Sequence, residues 1–186
     1  MTIAYVGVGA NLDNPLKQVQ IAVSNLSTLP QTACLGYSSF YRSKPLGPTD
    51  QPDYINAVAA VETTLSPQML LKALQRLEEK QGRCRGGKRW GPRIIDLDIL
   101  LYGDLALQSD ELCFPHPGLF VREFVLYPLA EVAEDLILPG GESILELKAK
   151  CPDRGIERII KNPSSLLPFP FRGKGLEKEG DTKALA

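Results

Sequence analysis

Twice along the chain a capping residue followed by proline opens a helical stripe, each time between segments that read as strands. Asn14-Pro15 precedes Leu16, Val19, Val23 and Leu26; Ser66-Pro67 precedes Leu70, Leu71, Leu74 and Leu77. A polar N-cap accepts a hydrogen bond from a free N–H of the first turn, and proline is tolerated at the first helical position. Spacings of three and four place the apolar residues on one face of each helix. Before the first helix, residues 2–8 are apolar and β-prone, and Gly7-Val8-Gly9-Ala10-Asn11 reads as the turn that ends them. Residues 33–42 read as a strand. Lys44 to Asp53 hold three prolines and a glycine, which makes that segment a loop. Tyr54 to Thr64 read as a strand whose alternation puts Tyr54, Asn56, Val58 and Ala60 on one face. Gly82 ends the second helix, and Asp96 to Tyr102 form a buried strand. The resulting order, β-α-β-β-α-β, predicts an α+β chain with a ferredoxin-like antiparallel sheet and helices packed on one face.

Beyond Gly103 the pattern predicts C-terminal additions. These are a short hairpin between about 105 and 114, a helix near 121–133, another over 143–150 and a last strand over 156–160. A single domain over 1–161 is expected, followed by a flexible tail over 162–186, where the sequence turns proline-rich and then polar.

The 186 residues are 44% hydrophobic, enough for one sizeable core. No apolar run approaches the roughly 20 residues needed to span a bilayer. The N-terminus lacks the basic segment and small-residue cleavage site of a signal peptide, so the cytoplasm is expected. Cysteines at 34, 84, 113 and 151 form no C-x-x-C pair and read as free thiols, and His116 is the single histidine. Neither a zinc knuckle nor a His-rich metal site has its parts.

Net charge is −1, but Arg83, Arg85, Lys88, Arg89 and Arg93 crowd one loop that holds no acid, leaving the rest of the chain net acidic. A local cationic loop on an acidic body suits a small, highly charged anion and speaks against a nucleic-acid partner. Arginine forks bind phosphate oxygens bidentately, and Gly86-Gly87 would let the loop close over a ligand. Trp90 within it argues against a merely solvated turn. Immediately after the loop, Asp96-Leu97-Asp98 heads an apolar strand. Residues i and i+2 share a strand face, so the two carboxylates converge and call for a cation. An all-oxygen donor set without histidine favours Mg²⁺ shared with substrate phosphates. A nucleoside triphosphate with Mg²⁺ fits this combination.

Upstream, Tyr54 and Asn56 share a face beside the loop Pro45 to Pro52, a combination suited to a flat heterocycle or, equally, to a core tyrosine and a turn-end asparagine. Glu78 lies one residue past the leucine stripe and could face solvent or site. His116, fixed between two prolines and followed by Arg122, could donate to a phosphate or cap a turn. Two other readings use parts of this pattern. One is a palm-like nucleotidyl transferase with two metals; the other is a ferredoxin-like RNA-binding module using Trp90 and the basic loop.

The residues resemble one family through several motifs in order. Phe40-Tyr41-Arg42-Ser43 with Leu46-Gly47 and Asp50-Gln51-Pro52-Asp53-Tyr54-Ile55-Asn56-Ala57 are similar to its first signature. Trp90-Gly-Pro-Arg-Ile-Ile-Asp-Leu-Asp-Ile-Leu100 resembles its hallmark, and Pro115-His116-Pro117 with Arg122 to Leu129 completes the pattern from residue 2 to about 140. The family is 6-hydroxymethyl-7,8-dihydropterin pyrophosphokinase, of folate biosynthesis. The resemblance implies a ferredoxin-like monomer that transfers pyrophosphate from ATP to the pterin hydroxymethyl oxygen and releases AMP. By the same resemblance Asp96 and Asp98 would hold two Mg²⁺ ions, and Arg83 and Arg93 would clamp phosphates. His116 and Arg122 would add phosphate contacts, and Glu78, Arg85, Trp90 and Ile99 would lie near the nucleotide. Tyr54 and Phe124 would sandwich the pterin, Asn56 would bond its edge, and Ser43, Pro45 and Leu46 would supply contacts around it. Ser43 stands where threonine is usual, and Glu111 and Cys113 stand near the adenine where a basic and a hydroxyl residue are usual.

Overall fold

The computed structural model describes residues 1–48, 50–83 and 91–160. In chain order the elements are β1 (Thr2–Ala10), α1 (Pro15–Leu26), β2 (Thr32–Tyr37), β3 (Phe40–Ser43), β4 (Tyr54–Thr63), α2 (Pro67–Lys80), β5 (Asp96–Tyr102), β6 (Leu107–Gln108), β7 (Cys113–Phe114), α3 (Glu123–Val132), α4 (Ile144–Lys150) and β8 (Glu157–Ile160). A 3₁₀ turn, Pro117–Phe120, precedes α3. Both caps work as the sequence implies: the Asn14 side chain accepts from the Lys17 N–H at 3.4 Å, and the Ser66 hydroxyl accepts from the Met69 N–H at 3.3 Å.

The main sheet has the order β5-β1-β4-β3-β8, and every pairing in it is antiparallel. The central strands are those of a ferredoxin-like βαββαβ unit, with β8 added at one edge. The segment read as one strand over 33–42 is two: β2 pairs with one end of β4 and β3 with the other. The break falls at Ser38-Ser39. Ser38 pairs its backbone N–H and its hydroxyl with Val58, replacing ladder bonds with side-chain ones. Ser39 turns its N–H and hydroxyl to the Glu131 carboxylate on α3, at 3.1 and 2.6 Å.

Alternation sorts the strands into two cores. Val6 and Val8 of β1, Ala57, Ala59 and Val61 of β4 and Leu97 and Ile99 of β5 pack under α1 and α2, against Val19, Leu26, Leu70 and Leu74. On the opposite face Tyr5, Val58, Ala60 and Leu100 pack under α3 and α4, against Leu126, Leu129 and Ile144. The expectation of helices on one face therefore holds for α1 and α2 only. The C-terminal helices close the other face because β4 is apolar on both sides, and an uncovered apolar face would stay wet.

The segment Gly7-Val8-Gly9-Ala10 is the second departure. It is not a turn: β1 continues through Ala10, paired with β4 along its whole length and with β5 over Ala4–Gly9. Glycine and asparagine are turn formers locally, but here two long partner strands hold the segment extended. The cost of glycine in a strand is offset by ladder bonds on both sides.

Candidate active site

The α3-facing side of the sheet is covered only in part, and where coverage ends a pocket of about 270 Å³ opens. Its floor follows from strand register. Gly9 sits between Asn56 on β4 and Asp96 on β5, and Gly7 sits between Val58 and Asp98. Neither glycine has a side chain to fill the space above the strand. A Cβ at Gly9 would stand 3.3 Å from the Asn56 amide oxygen, and one at Gly7 would stand 3.3 Å from Leu100. These two residues are pocket-lining positions that the turn reading concealed. Asp96, Asp98 and Leu100 follow one another on the pocket side of β5, and an irregularity opposite Tyr5 and Val6 leaves Leu100 as an extra residue of that strand.

The lining divides by chemistry. Tyr54, Asn56, Phe124, Ser43, Pro45 and Leu46 contribute aromatic, amide, hydroxyl and apolar surface; Asp96, Asp98, Arg93, His116 and Arg122 contribute charged and ionisable groups. Asn56 is buried and donates to the Ser43 hydroxyl at 2.9 Å, which fixes the orientation of its amide. Arg122 lies over the Phe124 ring, 5.9 Å from its centroid. Gly118 permits this arrangement, since a Cβ there would fall 2.8 Å from the Arg122 guanidinium.

Of the two pocket carboxylates, Asp96 is held by arginines. Asp96 accepts Arg83 on one oxygen at 2.6 Å and Arg93 on the other at 2.5 Å. Arg83 also pairs with Glu78, whose carboxylate accepts the Leu97 N–H at 2.7 Å. Burial works against the Arg83 charge, but Asp96 and Glu78 outweigh it and raise its pKa. At Glu78 burial wins: it pushes the carboxyl up to about 7, aided by Asp96 and Asp98, against the Leu97 N–H and Arg83. Asp98 is open to the solvent of the cleft, yet most of its surroundings are protein. That partial dehydration, with the Asp96 charge beside it, pushes its carboxyl up to about 6 against the pull of Arg93, Arg83 and Arg122. A carboxylate so placed gains from a cation beside it.

His116 accepts the Gly118 N–H on Nδ1 at 3.1 Å, and its own backbone N–H donates to the Leu100 carbonyl at 2.9 Å. The ring proton is therefore on Nε2. Burial lowers the His116 pKa, and Arg122 lowers it further against Asp96, so the imidazole is a neutral donor at neutral pH. This has a consequence for stability. The unfolded chain takes up a proton near pH 6.5 that the folded chain resists, so this contribution is complete above that pH and is lost as pH falls toward the folded value. Urea unfolding at pH 7.5 and 5.5 should show a smaller loss of stability on acidification in His116→Gln than in the parent protein. Equal losses would mean that the imidazole is not held neutral.

The structure thus brings together Asp96, Asp98, Arg93, His116, Arg122, Ser43, Pro45, Leu46, Tyr54, Asn56 and Phe124 around one pocket. Arg83 reaches it through Asp96. Glu78 does not line it but supports Arg83 and the start of β5 from behind. Ile99 does not line it either; strand parity places its side chain in the core under α1 and α2. Arg85 and Trp90 lie outside the described residues. Cys34, Cys113 and Cys151 are free thiols, as expected. Among the described residues no cluster of three or more His, Cys, Asp or Glu could hold a metal by itself, and no helix is long and apolar enough to cross a membrane. Asp96 and Asp98 are two oxygen donors. That fits Mg²⁺, which keeps waters and takes remaining ligands from substrate phosphates.

Comparison with known proteins identifies the family and the fold. The sequence matches the family described as 7,8-dihydro-6-hydroxymethylpterin-pyrophosphokinase (HPPK) over residues 5–134. It is 51% identical over 159 residues to the 2-amino-4-hydroxy-6-hydroxymethyldihydropteridine pyrophosphokinase of Haemophilus influenzae, covering 86% of this chain and 99% of the relative. The Pseudomonas aeruginosa protein of the same name is 50% identical over 155 residues, covering 83% and 95%. Among solved structures, an HPPK-DHPS in complex with substrates superposes with a TM-score of 0.62 at 13% identity, covering 80% of this chain and 43% of that one. Plasmodium falciparum HPPK-DHPS with SDX-DHP gives 0.61 at 15% identity, covering 81% and 43%. At such identities these likenesses establish the fold, and the chain spans less than half the length of either. With a family match across most of its length, two full-length relatives at half identity and the same fold, the chain belongs to the 7,8-dihydro-6-hydroxymethylpterin-pyrophosphokinase family.

Proposed function

We propose that the pocket holds the pterin at its Tyr54–Phe124 end and the ATP triphosphate at its Asp96–Asp98 end. As a family member the protein transfers pyrophosphate from ATP to the hydroxymethyl group of 6-hydroxymethyl-7,8-dihydropterin, giving AMP and the pterin diphosphate in folate biosynthesis. The observation that carries the residue assignment is the register of β1: its two bare glycines connect a flat polar-aromatic recess to a pair of carboxylates within one cavity.

In this reading the pterin ring lies between Tyr54 and Phe124. Asn56, oriented by Ser43, meets its amide-like edge, and Pro45 and Leu46 close the side. A fixed amide both donates and accepts, which a pterin edge requires. The hydroxymethyl group then points along the floor toward Asp96 and Asp98. These would hold two Mg²⁺ ions, which supply charge neutralisation of the triphosphate and alignment of its β-phosphorus. Arg83 and Arg93 are the guanidiniums bound to Asp96 here; when Asp96 turns to a cation, both become free for phosphate oxygens. His116 donates its Nε2–H, and Arg122 adds a charge that stacking on Phe124 holds in place. Glu78 acts by positioning Arg83, with Arg85, Trp90 and the Ile99 strand near the nucleotide. The reaction then needs placement and charge stabilisation from the protein, with no covalent nucleophile. The chain works as a monomer, with residues 1–161 as the pyrophosphokinase domain; the tail expected over 162–186 lies outside the described residues.

A product assay with ATP, Mg²⁺ and 6-hydroxymethyl-7,8-dihydropterin, resolving AMP from ADP, tests the reading. AMP that forms only with pterin present, and is lost when Asp96 or Asp98 is replaced, is expected. ADP as product, or unchanged turnover in both variants, would overturn it.

A further inference from the structure

Between the basic loop and β5, residues Gly91, Pro92 and Arg93 form a short strap, of which Gly91 and Arg93 line the pocket. One tie holds it from the pterin end: the Tyr54 hydroxyl donates to the Gly91 carbonyl at 3.1 Å. Another holds it from β1. The Arg93 N–H donates to the Asn11 side-chain oxygen at 2.7 Å, and the Arg93 carbonyl accepts the N–H groups of Asn11 and Leu12 at 3.0 and 3.3 Å. Asn11 is fully buried and spends its amide hydrogens on Gln51 at 3.3 Å and on the Pro52 carbonyl at 3.2 Å, just before β4. The strap thus hangs between a tyrosine ring that walls the recess and an asparagine bound to the loop entering the same strand. Its last residue is Arg93, whose guanidinium grips Asp96.

We propose that the Tyr54 hydroxyl is a positioning group that couples the pterin and phosphate sites of the pocket: a ring bound against Tyr54 holds the hydroxyl on Gly91 and thereby holds the strap that carries Arg93 beside Asp96. The inference rests on the pocket assignment above. It gives Tyr54 two separable parts, a face for the heterocycle and an oxygen for the strap. Because Asn11 fixes the strap independently at Arg93, loss of the hydroxyl leaves the segment attached while removing its link to the pterin wall. Coupling of this kind is reciprocal: whatever factor the pterin adds to nucleotide affinity, the nucleotide adds to pterin affinity.

Tyr54→Phe keeps the ring and removes the oxygen. Calorimetry with a non-hydrolysable ATP analogue and Mg²⁺, with and without saturating 6-hydroxymethylpterin, reads the coupling factor directly. The parent protein should bind the analogue more tightly when pterin is present. In Tyr54→Phe that factor should fall about fivefold, the worth of one neutral hydrogen bond, or to unity if it is smaller than that. Pterin affinity measured without nucleotide should stay nearly unchanged, while by reciprocity pterin affinity in the presence of the saturating analogue should weaken by the same factor that the coupling loses. A hydroxyl that merely stabilises the fold would lower Tm without changing the coupling factor. An unchanged factor, or no coupling in the parent protein, overturns the proposal. Phe124→Ala separates this from the reading beneath it: if that variant keeps full pterin affinity, the pocket assignment itself is wrong.

Discussion

Asp98→Asn should lose turnover by on the order of 10²–10³-fold or more, the scale of removing a charge-stabilising group from a reacting centre, while keeping its melting temperature at pH 7.5. The two halves of this expectation have one cause. Asp98 stands beside Asp96 in a partly dehydrated cleft, and burial, with the Asp96 charge adding to it, pushes its carboxyl up to about 6. The folded state therefore binds its proton more tightly than the unfolded chain does. Between the unfolded value and about pH 6 the ionised group costs an increasing amount of native stability as pH rises, and the cost persists above that window. Asparagine has nearly the same shape and no charge, so it removes the cost together with the cation donor. A melt at or above the parent value, alongside absent AMP formation, would mark the carboxylate as kept for function. A fall of many degrees, or turnover within tenfold of the parent, would show that Asp98 is a structural acid.

Tyr54→Ala should weaken pterin binding by about 10–100-fold, because stacking on one aromatic side chain is worth about 1–3 kcal/mol. Binding of an ATP analogue with Mg²⁺ in the absence of pterin should change much less. Tyr54 is half-buried and makes no ion pair with the charged groups, its hydroxyl donating instead to the Gly91 carbonyl. Calorimetric titration of each ligand alone measures both numbers. The reverse order of losses would mean that the two ends of the pocket have been exchanged.

The readability of this chain differs between elements for physical reasons. α1 and α2 were legible because a cap, a proline and an apolar stripe all act within a few residues of one another. β4 and β5 were legible because alternation and apolar runs are likewise local. The break at Ser38-Ser39 was not, since two serines are compatible with a strand and the carboxylate that draws Ser39 away is Glu131, far along the chain. Gly7 and Gly9 misled for the opposite reason. Their local preference is for turns, and only pairing with β4 on one side and β5 on the other holds them extended.

The candidate site shows the same division. Asp96 and Asp98 were paired by strand parity alone, and the same parity, applied to Ile99, sends its side chain to the other core. Glu78 was undecided between solvent and site, and it does neither: it lies buried behind β5, with its carboxylate shared by Arg83 and the Leu97 N–H. The Asn11 ties to Arg93, Gln51 and Pro52 join three segments that no spacing rule connects.

By itself, then, the sequence determined the helices, most of the strands and the family they compose, and it nominated the residues expected to carry the chemistry. Those properties arise from side-chain type, capping and periodicity, which act over a few residues. Tertiary structure alone decided that a glycine strand is the pocket floor, that α3 closes the second face, and that two arginines share one carboxylate. Each depends on strand register or on a contact between distant segments, and its free energy exists only once the chain has closed on itself.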